Sequence, residues 1–226
     1  MERTAIAFGD VRDRTRDTRV DIGFTERDAW RTAPAVFDQH TLKIQGHPVM
    51  EDWEDDYMRE LAGIATARGG AVLEVGFGMG ISANYIQQRA VERHVIVEAN
   101  ADVFAALEEF AGRHPNVEPV SGFWEDVTKA MPDGSFDGIL FDTYPLSEAE
   151  IHRNHFPFFA EAYRLLKPGG TLTYYSDEID DFSPLHRELL GEAGFSRIAK
   201  RLCRVEPPTD CAYWQSRTLL APIVRK

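Results

Sequence analysis

The chain has 226 residues, 43% of them hydrophobic, which suffices for one domain with a full core and is too apolar for a disordered polymer. With 25 Lys+Arg against 37 Asp+Glu the net charge is −12, which excludes nucleic acid or an anionic membrane as the main partner, since both require basic surface. Two cysteines, Cys203 and Cys211, exclude a disulfide framework and a four-thiolate zinc site and leave a single disulfide open. Met1 to Arg19 is too charged for a signal peptide and no apolar run reaches membrane-spanning length, so a soluble cytoplasmic protein is expected.

Residues 1–30 mix charge with scattered apolar positions (Ile6, Phe8, Val20, Ile22, Phe24) and read as an arm, loose or docking late, that could close over a site; residues 31–226 form the domain. From Met50 to Arg68, Trp53, Met58, Leu61 and Ile64 follow a helical stripe. Ala71 to Val75 is a short apolar strand, ended by Gly76-Phe77-Gly78-Met79-Gly80 and followed by a helix to about Arg89. His94–Glu98 predicts a second strand, 101–113 a helix with Val103, Phe104, Leu107, Phe110 and Ala111 on one face, Val117–Val120 a third strand and Phe136–Asp142 a fourth. Ser147 to Glu150 has capping-box spacing and should start a helix that Lys167-Pro168-Gly169-Gly170 stops near Leu166. Thr171–Tyr175 is a fifth strand, Ser183-Pro184 starts a helix, and 195–205 and 212–224 are late strands close enough to form an antiparallel edge pair. Strands alternating with helices predict an α/β fold with a mostly parallel sheet covered on both faces.

Glycines directly after the first strand let the backbone approach a ligand, and the following helix offers its positive end. The same glycines also suit a turn that simply packs tightly. Glu98, ending the second strand 22 residues past Gly76, is placed to accept hydrogen bonds from ribose hydroxyls. A dinucleotide fingerprint wants a third glycine where Ile81 stands. Gly76-x-Gly78-x-Gly80 after Leu73-Glu74-Val75 instead resembles the S-adenosylmethionine-dependent methyltransferases, as do Asp142 at the end of the fourth strand and Leu165-Leu166-Lys167-Pro168-Gly169-Gly170 before the fifth.

Longer segments resemble one family, guanidinoacetate N-methyltransferase: His47-Pro48-Val49-Met50-Glu51-Asp52-Trp53-Glu54, Val72 to Met79, Trp124-Glu125-Asp126-Val127, Pro132-Asp133-Gly134, and Phe136-Asp137-Gly138-Ile139-Leu140-Phe141-Asp142-Thr143-Tyr144-Pro145-Leu146-Ser147. The resemblance covers roughly 30–176, with an echo at Pro207-Pro208-Thr209-Asp210-Cys211. It implies a Rossmann-like class I methyltransferase fold, with seven strands and an antiparallel edge. It also implies S-adenosylmethionine as methyl donor and S-adenosylhomocysteine as product, held by Trp30, Met50, Met58, Gly76, Phe77, Gly78, Met79, Gly80, Ile81, Ser82, Glu98, Asn100, Trp124 and Glu125. The acceptor guanidine would sit between Glu54 and Asp142.

Two acids suit that chemistry. A guanidinium, with a pKa of about 12.5 to 13.8, is cationic and a poor nucleophile, and it must approach a positive sulfonium. Carboxylates offset the repulsion, match the guanidinium fork, and one can take a proton. Asp142, beside the cofactor, is the expected base and Glu54 its partner; Tyr144 could orient the acceptor or simply pack. His152 and His155 lie three apart but lack a third ligand, so a surface or packing role is expected and no metal site.

After the fifth strand the family resembled here carries an uncharged Leu-Thr stretch that holds the carboxylate of guanidinoacetate. Here the chain reads Ser176-Asp177-Glu178-Ile179-Asp180-Asp181, a poor receptor for an anion. Either these acids face solvent and the acceptor is guanidinoacetate, or Asp177 and Glu178 face the pocket and receive an ammonium. The second is our expectation: a small guanidine with a cationic amine, arginine-like, agmatine-like or a natural product. The competing readings are a protein arginine methyltransferase, an aminopropyl transferase and a non-catalytic S-adenosylmethionine-binding module.

Overall fold

The computed structural model describes residues 19–226. The arm predicted over 1–30 therefore lies partly outside the described residues, including Ile6 and Phe8. Its described part forms two short helices, α1 (Arg19–Ile22) and α2 (Arg27–Thr32). A three-stranded antiparallel sheet follows, β1 (Ala35–Phe37), β2 (Thr41–Ile44) and β3 (His47–Glu51), and a 3-10 turn over Asp52–Glu54 leads into α3 (Asp55–Ala65). The helix expected from Met50 thus starts five residues later. Met50 belongs to a strand that pairs with Leu42, and only from Tyr57 does the helical stripe of Met58, Leu61 and Ile64 become buried.

The main sheet takes its strands from β4 (Gly70–Val75), β5 (Val91–Glu98), β6 (Val117–Ser121), β7 (Phe136–Phe141), β8 (Leu166–Tyr174), β9 (Arg197–Arg204) and β10 (Thr218–Arg225), in the order β6-β5-β4-β7-β8-β10-β9. The first five of that order are parallel neighbours, and β10 runs antiparallel to both β8 and β9, as the late edge pair predicted. Alternation along the strands divides the core in two. Val72, Ile96, Leu140 and Leu219 face α3, α4 (Ile81–Gln87) and α5 (Ala101–Ala111). Leu73, Val75, Val97, Phe141, Leu172 and Leu220 face α7 (Phe158–Leu165) and α8 (Pro184–Glu192). A further short helix, α6 (Trp124–Val127), follows β6.

The helix expected to begin at Ser147 does not form there. The Ser147 side chain makes no cap bond; Glu150 turns back to accept from the Leu146 N–H, and a single 3-10 turn over Glu148–Glu150 results. The regular helix starts only after Pro157, a residue that fits the first turn but not a helix interior. The helix does end where it was expected to, at Leu165 just before Lys167–Gly170, and β8 begins at once and takes in those four residues. Both cysteine thiols are free, so the disulfide left open by the sequence is not made. Among the described residues no helix is long and apolar enough to cross a membrane.

Candidate active site

The carboxyl ends of β4, β5 and β7 converge on one cleft of about 250 Å³, where an open parallel sheet places its ligands. The Gly76 N–H donates to the Val97 carbonyl and the Asp142 N–H to the Val75 carbonyl, both at 2.8 Å, so the three strand ends are tied together. Gly76 has φ 94°, and a Cβ there would fall 1.8 Å from the Asp142 carbonyl oxygen. No other residue fits that close approach. At Gly78 a Cβ would lie 2.9 Å from the Met50 sulfur, which itself accepts from the Met79 N–H at 3.3 Å.

One end of the cleft has the character of a nucleoside site. Glu98 accepts from the Phe77 N–H at 3.0 Å and the Asn100 N–H at 2.8 Å, and a carboxylate with about four acceptor positions keeps further ones for vicinal hydroxyls. Burial pushes its carboxyl above the ordinary range while those backbone donors pull it back. Val97, Val103, Phe123 and Trp124 supply apolar walls, and Trp124 packs edge-on to Phe141 and Phe158. Arg27 on α2 reaches Glu125 and Asp126, each at 3.3 Å, while lying 4.1 Å over the Phe123 ring. Helix α2 is thereby strapped to α6 across this end.

The other end is acidic and aromatic. Glu54, 3% exposed, accepts from the Tyr213 hydroxyl and from the Glu51 N–H through the same oxygen, Oε1. Burial, and then the nearby Asp142, push its carboxyl well above the ordinary range. Asp142 accepts no side-chain hydrogen bond among the described residues; burial, then Asp177 and Glu74, push it up to about 7. Trp30 stacks flat on Tyr144, at 5.2 Å and 7° between planes. The Gly23 carbonyl can only accept, so His47 Nε2 donates to it at 2.7 Å, and the other ring nitrogen, Nδ1, meets the Tyr144 hydroxyl at 3.0 Å.

Of the residues singled out from sequence, Trp30, Met50, Glu54, Gly76, Gly78, Glu98, Trp124, Glu125, Asp142, Tyr144 and Asp177 line this cleft. Others stand behind it. Met58 is fully buried in the core, and Phe77 packs against Phe110. Met79, Gly80 and Ile81 form the turn into α4, and Ser82 donates to buried Glu74, which also meets His94 at 2.9 Å. Asn100 caps α5 and donates to the Trp30 and Ala33 carbonyls, so it fixes Trp30 rather than lining the cleft. Glu178 turns inward to the Ser183 N–H and His186, both at 3.2 Å. Asp181 pairs with Arg187 and Lys200 at the surface. The acidic segment therefore sends one residue, Asp177, into the cleft. Arg19, Tyr175 and Tyr213 also line it and were not singled out from sequence. No local motif marks them, because only the fold brings α1, the end of β8 and the segment before β10 together.

The family model described as guanidinoacetate N-methyltransferase matches residues 20–226. Curated relatives include proteins named protein arginine N-methyltransferase 2. The one from Yarrowia lipolytica is 30% identical over 168 residues, covering 70% of this chain and 34% of its own length. The one from Aspergillus oryzae is 33% identical over 193 residues, covering 78% and 46%. The chain spans about a third of the length of the first relatives it matches. Among solved structures, spermidine synthase from Thermotoga maritima superposes with a TM-score of 0.63 at 16% identity, over 86% of this chain and 72% of that one. The 1,6-didemethyltoxoflavin-N1-methyltransferase of Burkholderia thailandensis, solved with S-adenosylhomocysteine, gives 0.55 at 22% identity, over 77% and 80%. These likenesses establish the Rossmann-like fold. The chain belongs to the guanidinoacetate N-methyltransferase family, a family of S-adenosylmethionine-dependent methyltransferases.

Proposed function

We propose that this chain methylates a guanidino nitrogen of a small molecule that also carries an amine. One observation carries the reading: Glu54 and Asp142, both with raised proton affinity, line the cleft that Glu98 closes at the nucleoside end. Buried acids that resist ionisation together are stabilised when a cation enters between them. A guanidinium presents N–H donors in a planar fork that suits two carboxylates.

When bound, S-adenosylmethionine supplies an electrophilic methyl group on a positively charged sulfur. Glu98 would hold its ribose hydroxyls, Trp124, Val97 and Val103 its adenine, and Gly76 and Gly78 the backbone side. Tyr213 and the Glu51 N–H engage Glu54 Oε1, which turns Oε2 to the guanidine. Asp142, with a pKa near 7, takes the proton that the attacking nitrogen gives up. As the nitrogen lone pair accepts the methyl group that bound S-adenosylmethionine would supply, with the S–C pair left on sulfur, an Asp142 Oδ would take the nitrogen's proton. The two carboxylates also offset the meeting of two cations. Helices α1 and α2, the described part of the arm, serve as a cover for the cleft, with 31–226 as the transferase domain.

A second reading, a protein arginine acceptor, draws support from the names of the curated relatives. Labelled methyl transfer to arginine, agmatine, guanidinoacetate and arginine-containing peptides tests both. Turnover of an amine-bearing small guanidine is expected. Turnover of guanidinoacetate alone would overturn the amine requirement, of peptides alone the small-molecule reading, and of none the guanidine reading.

A further inference from the structure

One tyrosine of the cleft differs from its neighbours. The Tyr57 hydroxyl donates to the Leu220 carbonyl at 2.8 Å, that of Tyr213 donates to Glu54, that of Tyr144 meets His47 at 3.0 Å and that of Tyr174 meets His186 at 2.5 Å. Tyr175 lines the cleft, yet its hydroxyl is buried with no hydrogen-bond partner among the described residues. Buried polar groups are almost always paired, because one shut off from water and left unmatched loses its hydration without replacement. An orphaned hydroxyl in a ligand cleft therefore points to a partner that the ligand brings.

The position of Tyr175 does not depend on its own hydroxyl. The residue follows β8 directly, and its N–H donates to the Phe141 carbonyl at 3.0 Å, which sets it beside the strand end that carries Asp142. The next side chain, Ser176, donates to the Leu220 carbonyl at 2.6 Å, and the Tyr57 ring meets that of Tyr175 edge-on at 5.2 Å. Burial, then the charges of Glu54, Asp177 and Asp142, push the Tyr175 hydroxyl well above the ordinary tyrosine range, so it stays neutral.

A neutral hydroxyl accepts an N–H without adding to the negative charge already in the site. A further carboxylate there would add like-charge repulsion and compete for the proton assigned to Asp142. Glu54 brings one oxygen free of protein donors among the described residues, Oε2, and Asp142 brings its pair. A singly substituted guanidinium carries more N–H donors than these oxygens engage one for one.

We propose that the Tyr175 hydroxyl accepts an N–H of the bound guanidinium and completes the clamp as its uncharged third member. This rests on the reading of Glu54 and Asp142 as the guanidine clamp and adds to it a residue that holds a nitrogen other than the attacking one. That nitrogen keeps its hydrogen throughout transfer, so Tyr175 contributes equally to the ground state and the transition state.

Tyr175→Phe removes the hydroxyl and keeps the ring. The test uses whichever of L-arginine, agmatine and guanidinoacetate the wild type turns over fastest. Its KM, and its Kd for the S-adenosylhomocysteine complex by calorimetry, should both rise about 10- to 100-fold in the variant, the range for a hydrogen bond from a charged donor. The variant's kcat should stay within about threefold, since uniform binding is what is lost. Affinity for S-adenosylhomocysteine should stay within about twofold, and the ligand-free variant should melt no lower than the wild type, because an unmatched hydroxyl stabilises nothing. An unchanged acceptor Kd, a loss confined to kcat, or a lower melting temperature would each overturn the role of the hydroxyl and leave the guanidine clamp standing. A wild type that neither binds nor methylates any of the three guanidines would remove the clamp, and the role of Tyr175 with it.

Discussion

At the nucleoside end of the cleft, Glu98 already accepts two backbone N–H groups, Asn100 is engaged on both its oxygen and its nitrogen, and Gly76 and Gly78 bring main chain to the wall. At the acceptor end, Asp142 accepts no side-chain hydrogen bond among the described residues, Glu54 is bonded through one oxygen, and the Tyr175 hydroxyl has no partner there. The first end is organised before any ligand arrives. The second has side chains whose electrostatic demands a cation would meet. On the proposed reading, binding energy and chemistry fall to different ends, and each should be open to disturbance without the other.

The largest expected effect comes from Asp142→Asn. Loss of a general base should lower kcat by about 10²- to 10⁴-fold, while the affinity for S-adenosylhomocysteine measured by calorimetry stays within about twofold. A matching loss of affinity would break the division between the ends. Glu98→Gln tests the other side. It should weaken S-adenosylhomocysteine binding by about 10- to 100-fold, the range for a charged hydrogen bond, and change kcat little at saturation. In the wild type, kcat/KM for the acceptor should fall about tenfold per pH unit below about 7, because the ionised Asp142 is lost there; this limb should be absent from Asp142→Asn. A persisting limb would assign the proton to another group.

The smallest effect is on stability. The Asp142 carboxyl is raised in the folded state from 3.8 to about 7, so its favourable contribution is present at acid pH and is lost as pH rises through that window. Asp142→Asn should therefore melt higher than the wild type at pH 8, by on the order of 5 °C, with the difference vanishing near pH 4. Differential scanning calorimetry without ligand measures it. No difference at pH 8 would mean that Asp142 is not desolvated, and the contrast between the ends would lose its physical cause.

Much of the nucleoside end was legible because its signals are local. A strand, a glycine turn and an acid one strand later lie within a single βαβ unit, and Trp124 and Asp142 sit in segments long enough to carry a family resemblance. Glu54 was read from the same segments. Met58 lies in the buried core behind the cleft, where a helical stripe would place it whether or not a cofactor is near. The helix expected from Ser147 came from cap spacing alone, and spacing does not tell whether the side chain bonds the backbone. The sheet of β1, β2 and β3 escaped because strands of three to five residues with mixed polarity carry little periodic signal. Asp177 and Glu178 were read together as pocket acids; Asp177 lines the cleft and Glu178 turns away, and the left-handed backbone at Asp177 that goes with their separation is invisible in sequence. Arg19, Tyr175 and Tyr213 are long-range neighbours of Glu54 and Asp142, and only the folded chain assembles them.

The two acids of the proposed clamp arise from different layers. Asp142 follows a central strand of the seven-stranded sheet, whereas Glu54 hangs on the turn that leaves the small antiparallel sheet. Three short strands have little cohesion by themselves and hold their place by docking. Detachment of that layer would separate Glu54 from Asp142 while the large sheet stayed intact, a partial opening of the kind that lies well below global unfolding in free energy. In a denaturant titration, activity should accordingly disappear at lower concentration than the far-ultraviolet circular dichroism of the sheet, so that the protein can be silenced long before it is unfolded.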